Sequence, residues 1–381
     1  MQIYLVGGAV RDTLLGLPVT DRDWVVVGSS PQEMTAKGFL SVGKDFPVFL
    51  HPVTKEEYAL ARTERKTAPG YHGFVFDTTA GVTLEQDLAR RDITINSIAQ
   101  DSAGQLIDPF GGQSDLAHKV LRHTSPAFVE DPVRILRVAR FAARFADFSV
   151  AEPTLQLMQD MVAQGEVDAL VPERVWQELS KGLMAAKPSR MLGLLAQSGA
   201  LAKLLPQLAD QNANRSPELD HCPGLDAAAF AGASLPVRYA CWLLPVLLQQ
   251  SGALPQRLLP KVPKECSDLL ALVHSRFMVL LDCTGLGAAP LLQLLIDCDA
   301  MRRPQRFEEC LAVIQWAAPA AAKASASAKR LTAALQIAQA IGVASLGLAD
   351  TVTLNGLEIA ARLFKARVLA LSHFLAHQEV V

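Results

Sequence analysis

The chain has 381 residues, half of them apolar, and carries 36 lysines and arginines against 38 aspartates and glutamates. That length predicts two or three domains with ample cores. A formal charge of −2 with 19% charged residues excludes a highly charged disordered chain and a strongly basic tail. The charge balance by itself therefore argues mildly against a nucleic-acid partner.

The N-terminus and the cysteines indicate the compartment. The opening apolar run is too short, and too soon followed by Arg11 and Asp12, for a signal peptide, and no apolar stretch approaches a membrane span. All six cysteines lie in the C-terminal half and none forms a CxxC pair. Without a secretory context for disulfides, the sequence predicts a cytoplasmic protein with reduced thiols and no membrane partner.

Strand-like segments in the first third of the chain give way to helices. Five runs before residue 122 read as strands, namely Ile3–Val6, Trp24–Val27, Phe46–His51, Glu57–Arg62 and Ile93–Gln100. From Pro132 onward, segments rich in Leu and Ala predict helix after helix. We therefore expect an α+β fold, with a mixed domain over residues 1–122 and all-α parts over residues 123–205 and 206–381.

A Gly-Gly turn follows the first strand. Gly7 and Gly8 separate that strand from a predicted helix over Ala9–Leu15. Glycines let backbone N–H groups approach a ligand, a helix N-terminus favours phosphate oxygens, and Arg11 adds a fixed cation. On these residues alone, a simple turn is an equally good interpretation.

Two carboxylates, Asp21 and Asp23, come at the start of the second predicted strand. Side chains alternate along a strand, so both should point to the same face. Neighbouring carboxylates repel each other unless a cation lies between them, and oxygen ligands are those that Mg²⁺ prefers. A solvated strand start is the alternative, but the Gly-Gly turn just upstream favours a phosphoryl-transfer site with two metal ions.

The string GGAVRD…LPVTDRDWVVVG resembles the signature of polymerase-β-type nucleotidyltransferases, and specifically of class II tRNA nucleotidyltransferases, the bacterial CCA-adding enzymes. The resemblance implies a polymerase-β-like head over residues 1–122 and a helical neck over residues 123–205 that selects the nucleotide and binds RNA. It also implies Asp21 and Asp23 as catalytic Mg²⁺ ligands, with Gly8 and Arg11 at the nucleotide.

A second motif contains Arg91 and Asp92. Read from the residues, Arg91 can hold a triphosphate oxygen and Asp92 can accept a hydrogen bond from a ribose hydroxyl. A surface ion cluster with Glu85 and Asp87 is the alternative. The run is similar to the family's RRDxTxNA motif, in which Ser97 here replaces the usual Ala. The resemblance implies that this segment handles the ribose and so favours ribonucleotides.

A third motif begins at Asp131 and Pro132, which predict a helix start with Asp as N-cap. Arg134, Arg137 and Arg140 follow at spacings of three, so they share one helix face, and few acids nearby predict an anionic partner. The run resembles the family's EDxxR motif. That resemblance implies that Asp131 and Arg134 select CTP or ATP through the base edge, whereas Arg137 and Arg140 hold the nucleotide.

The C-terminal half departs from members that carry an HD phosphohydrolase domain. No His-Asp dipeptide occurs in the chain, and Ser216 and Cys241 begin the segments that align with the metal-ligand motifs. We therefore expect residues 206–381 to form a degenerate HD-like body without metal-dependent phosphatase activity. Glu57 falls where the family has a third acidic residue, but a solvated pair with Glu56 is an equally good interpretation.

The resemblance as a whole implies template-independent addition of CCA to the 3′ end of tRNA from CTP and ATP. A CC-adding enzyme and a bacterial poly(A) polymerase are the alternatives within the family, and a catalytically inactive RNA-binding protein or a phosphohydrolase are alternatives outside it. The intact segment Arg62–Asp77, where the loop needed for the A step lies, favours the complete CCA reaction. Whether the protein is a monomer or a homodimer is left open by the sequence.

Overall fold

The computed structural model describes residues 1–42, 48–66, 74–77, 79–206, 222–249, 259–317, 321–346 and 355–378. The chain divides into two compact units, Met1–His221 with Leu258–Lys261, and Cys222–Arg257 with Val262–Val381. The first unit contains both the predicted head and the predicted neck. The three-part division at residues 122 and 205 stays a prediction.

A seven-stranded mixed sheet forms the head, with strand order β3-β4-β5-β2-β1-β8-β9. Its strands are β1 (Gln2–Val6), β2 (Asp23–Val27), β3 (Leu40–Val42), β4 (Val48–Leu50), β5 (Glu57–Leu60), β8 (Ala99–Gln100) and β9 (Leu106–Ile107). Strand β2 lies between β1, to which it is antiparallel, and β5, to which it is parallel. The smaller two-stranded sheets are β6 (Thr63–Lys66) with β7 (Phe74–Asp77), and β10 (Val120–Leu121) with β11 (Ser149–Val150).

The described helices of the first unit are α1 (Gly8–Leu14), α2 (Pro31–Ala36), α3 (Leu84–Ala89), α4 (Gly112–His118), α5 (Val133–Arg144), α6 (Glu152–Ala163), α7 (Pro172–Leu183), α8 (Pro188–Gln197) and α9 (Ala200–Leu204). Short 3₁₀ helices span Thr94–Asn96, Pro126–Glu130 and Glu166–Ala169. The mixed head followed by helices confirms the predicted α+β class.

Both faces of the head sheet are covered, because alternate residues of β2 enter different apolar clusters. Val25 belongs to one cluster with Val6 and Leu88, whereas Val26 belongs to the other with Met34 and Phe49. Apolar packing on both faces thus holds strand β2 in place and sets the position of its first residue, Asp23.

The prediction of a strand over Ile93–Gln100 is wrong for most of its length. Thr94–Asn96 form a 3₁₀ helix, and only Ala99 and Gln100 lie in a strand. Ile93, Ile95 and Ile98 are all fully buried, so the apolar run is enclosed on every side. A run of this kind does not distinguish strand from helix by its periodicity.

The second unit is helical in its described parts, with α10 (Pro223–Phe230), α11 (Leu235–Leu247), α12 (Lys264–Leu281), α13 (Ala288–Asp297), α14 (Pro304–Ala317), α15 (Ala321–Ala340) and α16 (Gly356–Gln378). A 3₁₀ turn covers Val343–Leu346. All six cysteines carry free thiols, as predicted. A search of the described helices finds no candidate for a membrane span.

The structure describes only part of the segments that align with the HD motifs. Ser216–Asp220 lie outside the described residues. Cys241 and Trp242 are buried in α11, where burial raises the pKa of the Cys241 thiol to about 12. No group of three or more His, Cys, Asp or Glu side chains converges as a metal site among the described residues. The absence of phosphatase activity stays a prediction.

Candidate active site

The Gly-Gly turn joins β1 to α1 in a conformation that requires glycine. Gly7 has a φ of +70°, and a Cβ atom placed there would lie 3.0 Å from Nη1 of Arg91. Gly8 begins α1, and a Cβ atom there would lie 3.4 Å from Nη2 of Arg11. The missing side chains let two guanidinium groups approach the backbone of the turn.

Asp23 is the first residue of β2 and pairs with Val6, the last residue of β1. It therefore lies beside the Gly7 turn. The expectation that Asp21 also lies on the strand is wrong, since β2 begins two residues after it. Asp21 nevertheless lies only two residues before Asp23, and its charge raises the pKa of the Asp23 carboxyl.

The surroundings of Asp23 disfavour its negative charge. Asp23 is an exposed residue, but the protein atoms around its carboxylate partly reduce the hydration of that group, which raises its pKa. Arg91 lowers the pKa and Asp21 raises it further. The net effect is a pKa above the ordinary value for an aspartate. A cation placed between Asp21 and Asp23 would relieve this repulsion.

Glu57 lies on the neighbouring strand, directly opposite Asp23 in the parallel register of β2 and β5. Residues paired in this way share a face of the sheet. Glu56 accepts a hydrogen bond from Nε1 of Trp24 at 2.9 Å, whereas Glu57 is exposed. The solvated pair of acids therefore stays an alternative interpretation. The role of Glu57 as a third acidic residue stays a prediction, since it closes no three-ligand cluster among the described residues.

Arg91 connects the turn to a buried anion. Its Nη2 atom lies 3.2 Å from Oδ2 of Asp87. Asp87 is fully buried, and its Oδ1 accepts a hydrogen bond from Nη2 of Arg90 at 2.7 Å. Burial raises the pKa of Asp87, but the charges of Arg90 and Arg91 outweigh it and the net pKa is lowered. The interpretation of this segment as a surface ion cluster is therefore wrong. Nε of Arg91 is buried and has no hydrogen-bond partner.

Asp92 is buried and fully hydrogen-bonded. Its Oδ1 accepts from Nδ2 of Asn96 and from the N–H of Ile93, both at 2.9 Å, and its Oδ2 accepts from Nε of Arg137 at 2.8 Å. Burial opposes the charged form, but Arg137 and these hydrogen bonds hold the pKa of Asp92 well below its ordinary value. The structure thus joins Asp92 to Arg137 directly.

Helix α5 directs its predicted arginines toward protein groups. Arg134 is 5% exposed and donates to the carbonyl of Ala127, whereas Arg137 pairs with Asp92. Arg140 donates to Glu178 of α7. The expectation that few acids face these arginines is wrong, because Asp92 and Glu178 come from segments about 40 residues away on either side. Their roles at the nucleotide stay predictions.

Asp131 precedes α5, which begins at Val133 and not at the predicted Asp-Pro step. Its Oδ1 accepts from the N–H of Val133 at 3.1 Å and so still caps the first turn. Arg174 of α7 also binds both carboxylate oxygens, at 3.1 and 2.7 Å. Sequence reasoning missed Arg174 as a partner, since nothing in the spacing indicates a contact across 43 residues.

Arg11 is 3% exposed and lies inside the first unit. It pairs with Asp12 at 2.9 Å and donates to Asn96, and its guanidinium lies 5.3 Å from the ring centroid of Phe141. Burial lowers its pKa, although the Asp12 charge opposes this. The structure brings Arg11 next to Gly8 but surrounds it with protein, and its contact with nucleotide stays a prediction.

Comparisons with known proteins agree with this geometry. Residues 3–122 match the poly A polymerase head domain, and residues 147–212 match the probable RNA and SrmB-binding site of polymerase A. The multifunctional CCA protein of Leptothrix cholodnii is 52% identical over 98% of this chain and 96% of its own length. That of Azoarcus sp. is 54% identical over 81% of each chain. The chain belongs to the multifunctional CCA protein family.

Solved structures of CCA-adding enzymes share the fold. The Thermotoga maritima enzyme complexed with tRNA is 23% identical with a TM-score of 0.68, covering 98% of this chain and 87% of that one. The Bacillus stearothermophilus enzyme in complex with CTP is also 23% identical, with a TM-score of 0.67 and coverage of 99% and 93%. The predicted resemblance to class II tRNA nucleotidyltransferases is confirmed, and so is a nucleotidyltransferase head followed by helical parts.

Proposed function

We infer that the carboxylate pair at the start of β2 is the catalytic centre of this tRNA nucleotidyltransferase, which adds CCA to the 3′ end of tRNA from CTP and ATP. The observation that carries this assignment is the position of Asp23, beside the Gly7 turn, next to Asp21 and within the field of Arg91. A metal ion would neutralise the repulsion between the two carboxylates, and the triphosphate that accompanies the ion would lie beside the Gly7 turn and Arg91.

A divalent metal is expected of polymerase-β-type nucleotidyltransferases, and we propose that the ion is Mg²⁺. Asp21 and Asp23 would hold it, because both donors are carboxylate oxygens and Mg²⁺ commonly uses one or two carboxylates together with substrate phosphates. When bound, the ion neutralises triphosphate charge and favours the ionised form of a hydroxyl.

The cations of the head are suited to the triphosphate. Arg91 is held by Asp87, and its Nη1 atom lies against the Gly7 turn. We propose that it binds a phosphate oxygen, together with Gly8 and Arg11 at the same turn. A guanidinium fixed in advance loses little conformational freedom on binding.

The neck would select the nucleotide. Cytosine and adenine both present an amino donor beside a ring-nitrogen acceptor, which a carboxylate and a guanidinium complement. We propose that Asp131 and Arg134 read that edge, whereas Asp92 of the head contacts the ribose and Arg137 and Arg140 hold the nucleotide. Arg174 would keep the Asp131 carboxylate ionised and oriented through its two hydrogen bonds.

CC addition alone and poly(A) synthesis are the remaining alternatives within the family. Most of the segment Arg62–Asp77, on which the complete CCA reaction was predicted, lies outside the described residues or their described side chains. We propose the complete reaction because the matched relatives are CCA proteins over nearly the whole chain. We propose further that the protein acts in the cytoplasm. Because the proposed site is built within one chain, it is compatible with either a monomer or a homodimer.

The assignment of the carboxylates is tested by single substitutions. Asp21→Asn and Asp23→Asn keep the size of each side chain but remove its charge, so each should reduce incorporation of labelled CTP into tRNA lacking its 3′ end by at least about 10³-fold. Asp147→Asn is the matched control, because its side chain is 61% exposed and pairs with Lys119 at the surface. Wild-type incorporation by either Asp21 or Asp23 variant would refute the assignment.

A further inference from the structure

Glu178 is a buried acid of α7 that faces two arginines of α5. It is 6% exposed, it accepts a hydrogen bond from Nε of Arg140, and its Oε1 lies 3.9 Å from Nη1 of Arg137. No other ion pair connects Arg140 to a carboxylate among the described residues. One buried carboxylate therefore serves two cations that are one helical turn apart.

Arg137 is held from two directions. Asp92 of the head lies on one side, at 2.7 Å from Nη2, and Glu178 of the neck lies on the other. The pKa of Arg137 is raised, chiefly by the Asp92 charge and further by Glu178, against the effect of burial. The guanidinium is thus fixed between two carboxylates that belong to separate segments.

Arg140 is fixed by a different pair of contacts. Its guanidinium lies over the ring of Phe141, 4.3 Å from the centroid, and its Nε points to Glu178. Without the Glu178 charge, Arg137 and Arg140 would repel each other in a poorly hydrated region, and each side chain would gain by turning toward solvent.

The same face of α7 also carries Arg174, four residues before Glu178. Arg174 binds Asp131 at the start of α5, whereas Glu178 binds the arginines in the middle of that helix. Helix α7 thus presents a cation and then an anion to the complementary charges of α5. This pairing fixes the axial register of the two helices.

We propose that Glu178 is a positioning residue for nucleotide binding: it holds Arg137 and Arg140 in the orientation in which they contact CTP and ATP. The inference rests on the proposed function, because it takes these two arginines as nucleotide contacts. Glu178 acts through the two arginines that it contacts. Its loss should therefore weaken binding of both nucleotides alike and leave tRNA binding unchanged.

The test compares wild-type protein with Glu178→Gln, Glu178→Asp and the control Glu173→Gln, whose side chain on the same helix is 57% exposed. We expect the Gln variant to raise the KM and Kd for CTP and for ATP by about tenfold, the loss expected for a charged hydrogen bond. The kcat value and the KM for tRNA should stay within about twofold of wild type. The Asp variant keeps the charge, so its KM and Kd for both nucleotides should lie between those of wild type and those of the Gln variant.

The possible outcomes separate this inference from the proposed function. Unchanged nucleotide KM and Kd in the Gln variant, with or without a lower melting temperature, would overturn the positioning role. An equal rise in the tRNA KM would also overturn it, since that indicates a general distortion. If the Gln variant does not fold, a wild-type nucleotide KM for the Asp variant would decide against the proposal. If wild-type protein binds CTP in a Glu178-dependent way but extends no tRNA, the proposed function fails and the positioning role stands.

Discussion

Asp87 shows how a single buried residue supports the site without touching a substrate. It is fully buried, receives both Arg90 and Arg91, and also accepts from the backbone N–H of Arg62 at 3.3 Å. It thereby holds Arg91, the cation whose charge lowers the pKa of Asp23. The spacing of Asp87 before two arginines resembles an ordinary surface cluster, and only the fold reveals that the carboxylate is enclosed.

Substitution of Asp87 should be costly and pH-dependent. Asp87→Asn leaves two arginines without a buried counter-charge and should lower the free energy of unfolding by about 3 kcal/mol at pH 7. Because the folded-state pKa of Asp87 is lowered, its stabilisation is present above the unfolded-state pKa and is lost as the pH falls through the folded-state pKa.

Urea unfolding at a series of pH values measures this. The difference in the free energy of unfolding between wild type and Asp87→Asn should shrink toward low pH. The control is Glu85→Gln, at an exposed position of the same helix, which should change the free energy of unfolding by less than about 0.5 kcal/mol. A difference that is constant from pH 7 to pH 3 would contradict the ion-pair account.

The turn between β1 and α1 is the element on which the phosphate site depends. Gly7 and Gly16 both have positive φ values, +70° and +67°, but only Gly7 lies against Arg91. No atom lies within 4 Å of a Cβ built at Gly16. Both positions therefore have a backbone conformation that favours glycine. An added methyl group would contact Arg91 at position 7 but not at position 16.

Gly7→Ala and Gly16→Ala form a matched pair. Each should reduce stability by about 1–3 kcal/mol through backbone strain. Only Gly7→Ala should also raise the KM for CTP and ATP, because its methyl group displaces the Arg91 guanidinium. Steady-state kinetics on both variants check this, and an equal KM for the two variants would mean that Arg91 does not contribute to nucleotide binding.

At the scale of elements, the sequence predicts local structure well and long-range pairing poorly. Strands β1, β2 and β5 follow from short apolar runs between turn residues, and α5 follows from its capping Asp131 and its periodic arginines. The pairing of Arg140 with Glu178 and of Arg174 with Asp131 arises from the way α5 and α7 pack, which no short-range pattern encodes. The 3₁₀ segment Thr94–Asn96 was missed for a related reason, since its burial is set by tertiary contacts.

At the scale of the molecule, the near-zero charge conceals an internal arrangement of ion pairs. The arginines predicted to face an anionic ligand are matched to Asp12, Asp92 and Glu178 within the first unit. Most of their charge is therefore already neutralised by protein, so we expect a modest salt dependence for tRNA binding. Recognition would then depend on the shape and the end of the tRNA.

The second unit is expected to contribute a helical body without its own chemistry. Five of its cysteines are buried, and apolar residues such as Leu243 and Leu244 of α11 fill its interior. Metal-dependent hydrolysis of p-nitrophenyl phosphate by protein that is active on tRNA would contradict this expectation. The fold class of this unit was predictable from composition, whereas the packing of its helices was not.

The measurement that tests the central claim most directly is the sequence of the product. Purified protein is incubated with Mg²⁺ and tRNA lacking its 3′ CCA, with CTP alone, with ATP alone, and with both, and the extended ends are sequenced. We predict two C residues with CTP alone and CCA with both nucleotides. Long A tracts, termination after CC when ATP is present, or no extension would contradict the account.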